Sequence, residues 1–329
     1  MNQTAEDTAC DDENSFFTYK TIFLIIKGCI SAGLLIYLFR EIDSKEFIQT
    51  FFKIPPLLFV LTGLLYMGCQ YLSSYRWQIL LKAHEVSISV NRLFSFYLVG
   101  MFFNNFLPTS VGGDVVKGFD LYRHSGKGKE AITTVLLERY TGLVAIIVIG
   151  LIALAIGYTY FTDPVVAILL SGIAVSFVGG TLVVANSFMK TLCLMVLRRF
   201  HVAKAEKAIS ALYETFGRYK IHKRIFLYAI VLSFIIQFLN IMVYILLADG
   251  LGINVPWQYF FLFFPIITVI SMLPVSFNGL GMREGMFVYL LAKIGVSSAQ
   301  ALSLSLSWFF IVTCISLPGG LIFMARKKV

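Results

Sequence analysis

Long apolar runs alternate along this chain with short polar connections. The runs at residues 19–39, 54–74, 131–156, 165–187, 225–248 and 299–325 are each near the ~20 residues a helix needs to cross ~30 Å of hydrocarbon. They predict an all-α, polytopic membrane helix bundle. Two further apolar stretches, 93–117 and 257–294, are broken by proline and glycine. Residues 107–117 read LPTSVGGDVVK and residues 273–283 read LPVSFNGLGMR, so Pro108 and Pro274, Ser110 and Ser276, Gly113 and Gly279, and Lys117 and Arg283 hold matching places. Helix breaks at membrane depth survive only where protein or a watery cavity satisfies the freed backbone. Matching breaks in two halves mark the binding region of a transporter built from repeats.

Composition strengthens the membrane assignment. Of the 329 residues, 58% are hydrophobic and only 14% charged, with a mean hydropathy of +0.82; a soluble globular domain is nearer ~25% charged. Residues 1–18 carry Glu6, Asp7, Asp11, Asp12 and Glu13 and lack the basic start and cleavage site of a secretory signal, so the first run is expected to stay as an anchor behind a disordered acidic tail. The cysteines are scattered through apolar runs and the histidines lack ligand spacing, so neither disulfides, metal nor cofactor is expected.

The cations set the orientation. Lys190, Arg198, Arg199, Lys204, Lys207, Arg218, Lys220, Lys223 and Arg224 face only Glu206 and Glu214 in the 188–224 linker, which assigns that linker to the cytoplasm. The basic tail, 326–329, follows it, while 157–164 and 249–256 contain no Lys or Arg and belong outside. No nucleic-acid partner is implied. Parity then makes 257–294 a hairpin dipping in from outside and 93–117 one dipping in from the cytoplasm. The single transmembrane domain, 19–325, lies in the cell (inner) membrane and divides into repeat 1 (19–157) and repeat 2 (163–325) of opposite orientation, each with a re-entrant hairpin, and both termini are cytoplasmic. The same parity holds if each hairpin is instead a pair of complete helices. Within the linker, Val202, Ala205, Ile209, Leu212 and Phe216 have helical spacing; a membrane-surface helix and a plain topology signal both fit.

Ionisable residues inside such segments cost at least ~2.5–3.5 kcal/mol at the membrane centre, so each implies a partner or a watery path. Asp114, Lys117, Glu138, Arg139, Arg283 and Glu284 qualify. Gly112 and Gly113 allow a tight turn, and Asp114 stands where a helix would restart; a helix N-terminus suits a phosphate. Lys117 and Arg283 could then pass one phosphate between inward- and outward-facing arrangements. The competing account is a set of mutually neutralising buried pairs with no substrate. Asn104, Asn105, Ser110, Ser276 and Asn278 add hydrogen-bonding capacity, with Ser110 and Ser276 assigned to backbone groups freed by the prolines. Arg76 and Trp77 are expected as interfacial anchors at the cytoplasmic end of the second crossing.

The motifs RWQILL (76–81), NNFLPTSVGGDVVK (104–117), LLERYTG (136–142) and LPVSFNGLGMREG (273–285) together resemble the membrane region of lysylphosphatidylglycerol synthases and related free-standing, flippase-like proteins. The likeness runs from about residue 21 to 325. It implies translocation of an anionic or aminoacylated phospholipid without the tRNA-dependent synthetic domain, and it carries over Asn105, Pro108, Gly112, Gly113, Asp114, Lys117, Arg139, Pro274, Gly279, Gly281, Arg283 and Glu284, with Pro108, Pro274 and Gly281 as hinges. The sequence departs from the family pattern at Lys117, where Arg is common, at Glu138, where Asp is common, and at Asn278, where Gly is common; the last bears on whether the second turn can close tightly. The expected activity is alternating-access movement of a lipid with a phosphate head group, not enzymatic. Two other readings stay open: a noncatalytic subunit of an envelope lipid or glycan pathway, and a polyprenyl-lipid glycosyltransferase with Asp114 or Glu138 as base. A homodimer or an envelope-synthesis enzyme would be the protein partner.

Overall fold

The computed structural model describes residues 26–40, 42–106, 112–157, 164–185, 195, 223–273 and 275–326. All regular structure in them is helical. In chain order the helices are α1 (26–40), α2 (Ser44–Phe51), α3 (Pro56–Lys82), α4 (Val90–Phe106), α5 (Gly112–Ser125), α6 (Gly128–Gly157), α7 (Pro164–Ala185), α8 (Lys223–Gly250), α9 (Trp257–Ser271), a 3-10 turn (Phe277–Gly279), α10 (Met282–Ala292) and α11 (Ser298–Ala325). The acidic tail, residues 188–194 and 196–222 of the linker, and Pro108, Ser110 and Pro274 lie outside the described residues.

Among the described residues five helices, α3, α6, α7, α8 and α11, are long and apolar enough to cross a membrane. The four helices in the two broken stretches are shorter: α4 has 17 residues, α5 14, α9 15 and α10 11, all below the ~20 a full crossing requires. Local signals explain the boundaries. The Asp43 carboxylate accepts from the backbone N–H of Lys45 at 2.8 Å and caps α2, Pro56 opens α3 at a position where no helical donor is lost, and Ser297 caps α11 through Gln300 N at 3.2 Å. Helix α2 has no counterpart in the hydropathy pattern, because its 8 residues fall between two runs.

Packing follows a matched scheme. Helices α3 and α8 lie antiparallel along their whole length: Leu80 packs with Ala229, Arg76 meets Ser233, Tyr66 and Tyr244 share Trp308, and Leu58 reaches Gly250. Helix α4 packs on α11 while α9 packs on α6, and α5 packs on α6 while α10 packs on α11. Exchanging the halves of the chain maps each of these contacts onto another. Small residues make the close ones possible: a Cβ on Gly319 would run into the Leu98 carbonyl of α4, and one on Gly113 into the Gly100 carbonyl. The main core gathers Tyr66, Tyr244, Phe263, Phe264 and Phe287 around the α3–α8 crossing, and large apolar side chains such as Ile132, Ile168, Val175 and Leu321 cover the outside, as a bilayer-facing surface requires.

The anchor assignment for Arg76 and Trp77 is corrected here. Helix α3 runs on to Lys82, so both residues stand well short of its end and are buried, Arg76 at 6% exposure and Trp77 at 0%. Trp77 Nε1 donates to Thr134 Oγ1 at 3.0 Å inside the bundle.

Candidate functional site

The charged residues of the first half converge where α3, α5 and α6 meet. Glu138, 2% exposed, accepts from Lys117 Nζ at 2.7 Å and from Arg76 Nη2 at 3.2 Å, and the Tyr97 hydroxyl of α4 donates to the same carboxylate. Lys117 also lies 4.1 Å from the Tyr97 ring and 4.9 Å from that of Trp77, so its ammonium is enclosed by a carboxylate and two aromatic faces. Asp114 pairs with Arg139 and stands 3.6 Å from Lys117. The Gly100–Gly113 contact lets α5 close on α4, and Asn104 Oδ1 accepts from the Gly113 N–H at 2.7 Å, satisfying a donor at the start of α5.

The second half is built differently. Arg283 pairs with its neighbour Glu284 at 2.6 Å, and Glu284, fully buried, also accepts from Gly281 N at 2.6 Å and from Ser305 Oγ at 3.1 Å. Gly279 and Gly281 have φ of 76° and 82°, and Asn278 has φ 46°, in the left-handed region that Asn tolerates best after Gly. The Asn at this position therefore suits the turn, which closes with Phe277 N donating to Ser31 Oγ of α1 at 2.9 Å. Ser276 does not serve freed backbone groups as expected: its hydroxyl is buried and has no hydrogen-bond partner among the described residues.

Between the halves lies a cavity of about 340 Å³ with contributions from α3, α4, α6, α8, α9, α10 and α11. Arg139 and Arg283 reach it from opposite halves, with Asn105 at the end of α4 and Asn278 at the second turn. Asn278 Nδ2 donates to Asn105 Oδ1 at 3.4 Å, and Asn105 Nδ2 to Ser316 Oγ at 2.8 Å, so the two broken elements touch here. Of the residues singled out from sequence, Asn104, Asn105, Arg139, Asn278 and Arg283 line this cavity; Lys117, Glu138 and Glu284 are packed behind it, and Asp114 faces an apolar groove between α5 and α6 that Arg139 also borders. The sequence reading missed Gln70 and Gln237 along with Asn240, Tyr66, Tyr244 and Trp308, all of which line the cavity. The amides carried a signal, being polar residues in otherwise apolar runs; the aromatics carried none.

Residues 24–319 match the family model described as the lysylphosphatidylglycerol synthase TM region. The chain belongs to that family. A UPF0104 membrane protein from Methanothermobacter thermautotrophicus is similar to it, 25% identical over 298 residues that cover 85% of this chain and 87% of the relative. The resemblance read from the four motifs is borne out, and the chain stands as a multi-pass membrane protein of a family tied to lipid metabolism or transport.

Proposed function

We propose that the protein moves a polar lipid between the leaflets of the cytoplasmic membrane by alternating access, holding the head group between its halves while the acyl chains stay in the bilayer. The observation that carries this reading is the 340 Å³ cavity, lined by Arg139 and Arg283 and bounded by both broken elements. Its volume is within the ~300–1,000 Å³ of ordinary ligand sites. The antiparallel α3–α8 pair supports an inverted repeat, since repeats related by an axis in the membrane plane run their equivalent helices in opposite directions. The short helices of the broken stretches support re-entrant hairpins entering from opposite leaflets. Arg139 and Arg283 would engage the phosphate, Asn105 and Asn278 would couple the hairpin tips, and Lys117, Glu138 and Glu284 would hold the scaffold.

The experiment is reconstitution of the purified protein alone into liposomes with a trace of head-group-labelled anionic phospholipid, followed by chemical quenching of label in the outer leaflet. Translocation above the protein-free rate is expected, slowed by Arg283→Gln without loss of protein from the membrane. No acceleration over protein-free vesicles refutes the reading and favours a noncatalytic subunit that needs a partner.

A further inference from the structure

We propose that the head group this cavity accepts is a hydroxyl-rich phosphodiester, a polyol or glycosyl phosphate, and not an aminoacylated, cationic one. The inference rests on the translocation reading for its claim that a lipid head group enters the cavity at all.

The charges at the cavity wall are one-sided. Arg139 and Arg283 line it, and no carboxylate does among the described residues. The carboxylates that balance these cations sit behind them: both oxygens of Glu284 are consumed by Gly281 N, Ser305 and Arg283, Glu138 is shared by Lys117, Arg76 and Tyr97, and Asp114 borders the groove on the other side of Arg139. Across both clusters, among the described residues, Arg76, Lys117, Arg139 and Arg283 stand with Asp114, Glu138 and Glu284. A phosphate entering would find guanidinium groups able to bind it bidentately. An ammonium would lose its hydration and meet like charge with no anion to receive it.

The remaining wall selects for hydroxyls. Gln70 on α3 and Asn240 on α8 present amides to the cavity that can both donate to and accept from a hydroxyl, and Gln237, Asn104 and Asn278, each holding one bond within the protein, add further amide groups, while Asn105 is spent on Asn278 and Ser316. An aromatic cage could in principle hold an ammonium by cation–π attraction, but these rings are engaged. Trp308 stacks on Tyr244 with centroids 4.4 Å apart and receives Tyr66 edge-on at 4.8 Å, while the Phe309 ring already lies 5.3 Å from the Arg283 guanidinium. What is left is a site for a negatively charged group flanked by neutral polar surface.

The test compares binding and movement of two lipids of the same backbone and opposite net charge. Thermal stabilisation of the purified protein in detergent is titrated with short-chain phosphatidylglycerol and with short-chain lysyl-phosphatidylglycerol, for the unaltered chain and for Asn240→Asp, which adds a carboxylate of nearly the same shape to the wall. The expected result is at least about tenfold tighter binding of phosphatidylglycerol, with that ratio narrowed or inverted in the variant. Equal or tighter binding of the lysyl lipid by the unaltered protein overturns the inference, as does absence of binding by either lipid. Liposome assays with both lipids separate the two claims: phosphatidylglycerol bound selectively but not moved sinks the translocation reading and leaves the head-group assignment standing, whereas faster movement of the lysyl lipid sinks the assignment and leaves translocation standing.

Discussion

Replacing Glu138 with Gln removes the carboxylate shared by two buried cations while keeping the shape of the side chain. Lys117 and Arg76 then lose their partner at 2.7 and 3.2 Å, and the new amide turns a donor toward groups that themselves donate. Removing one member of a buried pair costs about 3–5 kcal/mol, because the other charge stays desolvated. Residual partners hold this loss toward the lower figure: Arg76 keeps Ser233 Oγ at 2.7 Å, and Lys117 keeps Asp114 at 3.6 Å and the Tyr97 ring at 4.1 Å. A loss of about 3 kcal/mol is therefore expected for Glu138→Gln. Equilibrium unfolding in mixed micelles, followed by tryptophan fluorescence, reads it. The double variant Glu138→Gln with Lys117→Met should fall short of additivity by about 1–3 kcal/mol, since the ammonium that lost its anion is gone too. Strict additivity, or a single-variant loss below about 1 kcal/mol, refutes the account of Glu138 as the anion that balances this cluster.

Other consequences can be checked by stability alone. Gly113→Ala puts a Cβ against the Gly100 carbonyl and within 2.7 Å of Asn104 and should cost about 1–3 kcal/mol or more by overpacking, whereas Gly172→Ala, with nothing within 4 Å of the added carbon, should be neutral or stabilise α7 by up to about 1 kcal/mol; a thermal melt that ranks the two in the opposite order refutes the packing assignment. Asn278→Gly should be tolerated and Asn278→Val should cost about 1–2 kcal/mol, because a β-branched residue resists φ of 46°. Trp77→Phe deletes the 3.0 Å bond to Thr134 and should cost on the order of 1 kcal/mol with the fold intact, an outcome that an interfacial Trp, free to bond water, would not give.

The helix bundle could be read from hydropathy because lipid imposes one rule, an uninterrupted apolar run, that leaves its mark at every position of a span. The runs beginning near residues 54, 131, 165, 225 and 299 all appear as helices. Their ends were less legible: α3 continues past residue 74 to Lys82, an extension that the cations Arg76 and Lys82 hide from hydropathy, and only the fold shows that Arg76 turns inward to Glu138. The charged site residues announced themselves by their cost in lipid, and all of those described lie in two clusters. Which of them faces the cavity was not legible, since α5 turns Lys117 toward Glu138 while α10 leaves Arg283 at the wall, a difference set by tertiary packing. Tyr66, Tyr244 and Trp308 are apolar enough to pass for ordinary span residues, so hydropathy could not separate them from their neighbours.

The two hairpins are secured by different chemistry, and this bears on which one can move. Helix α5 is tied to its neighbour α6 by charge, through Lys117 to Glu138 and Arg139 to Asp114, and to the end of α11 through Asp120 and Arg326 at 2.5 Å. Helix α10 keeps its ion pair to itself: Arg283 and Glu284 are adjacent residues and would travel together. Its described polar ties to α11 run through the Ser305 hydroxyl, which donates to Glu284 at 3.1 Å and accepts from Arg283 Nε at 3.3 Å, and the turn before it is held by Phe277 N donating to Ser31 Oγ at 2.9 Å. Separating α5 from α6 strands buried charges at about 3–5 kcal/mol per pair broken, whereas freeing α10 forfeits hydrogen bonds worth about 0.5–3 kcal/mol each, the upper end for bonds to a charged group. If the halves exchange positions around the cavity, the second hairpin is the cheaper one to displace. Hydrogen exchange in lipid nanodiscs measures this directly, because amides report the free energy of local opening. The backbone of α10 should exchange faster than that of α5 at positions of equal helix depth, and Glu138→Gln should accelerate α5 while leaving α10 unchanged. Faster exchange in α5 of the unaltered protein would show that the ionic ties do not govern the motion.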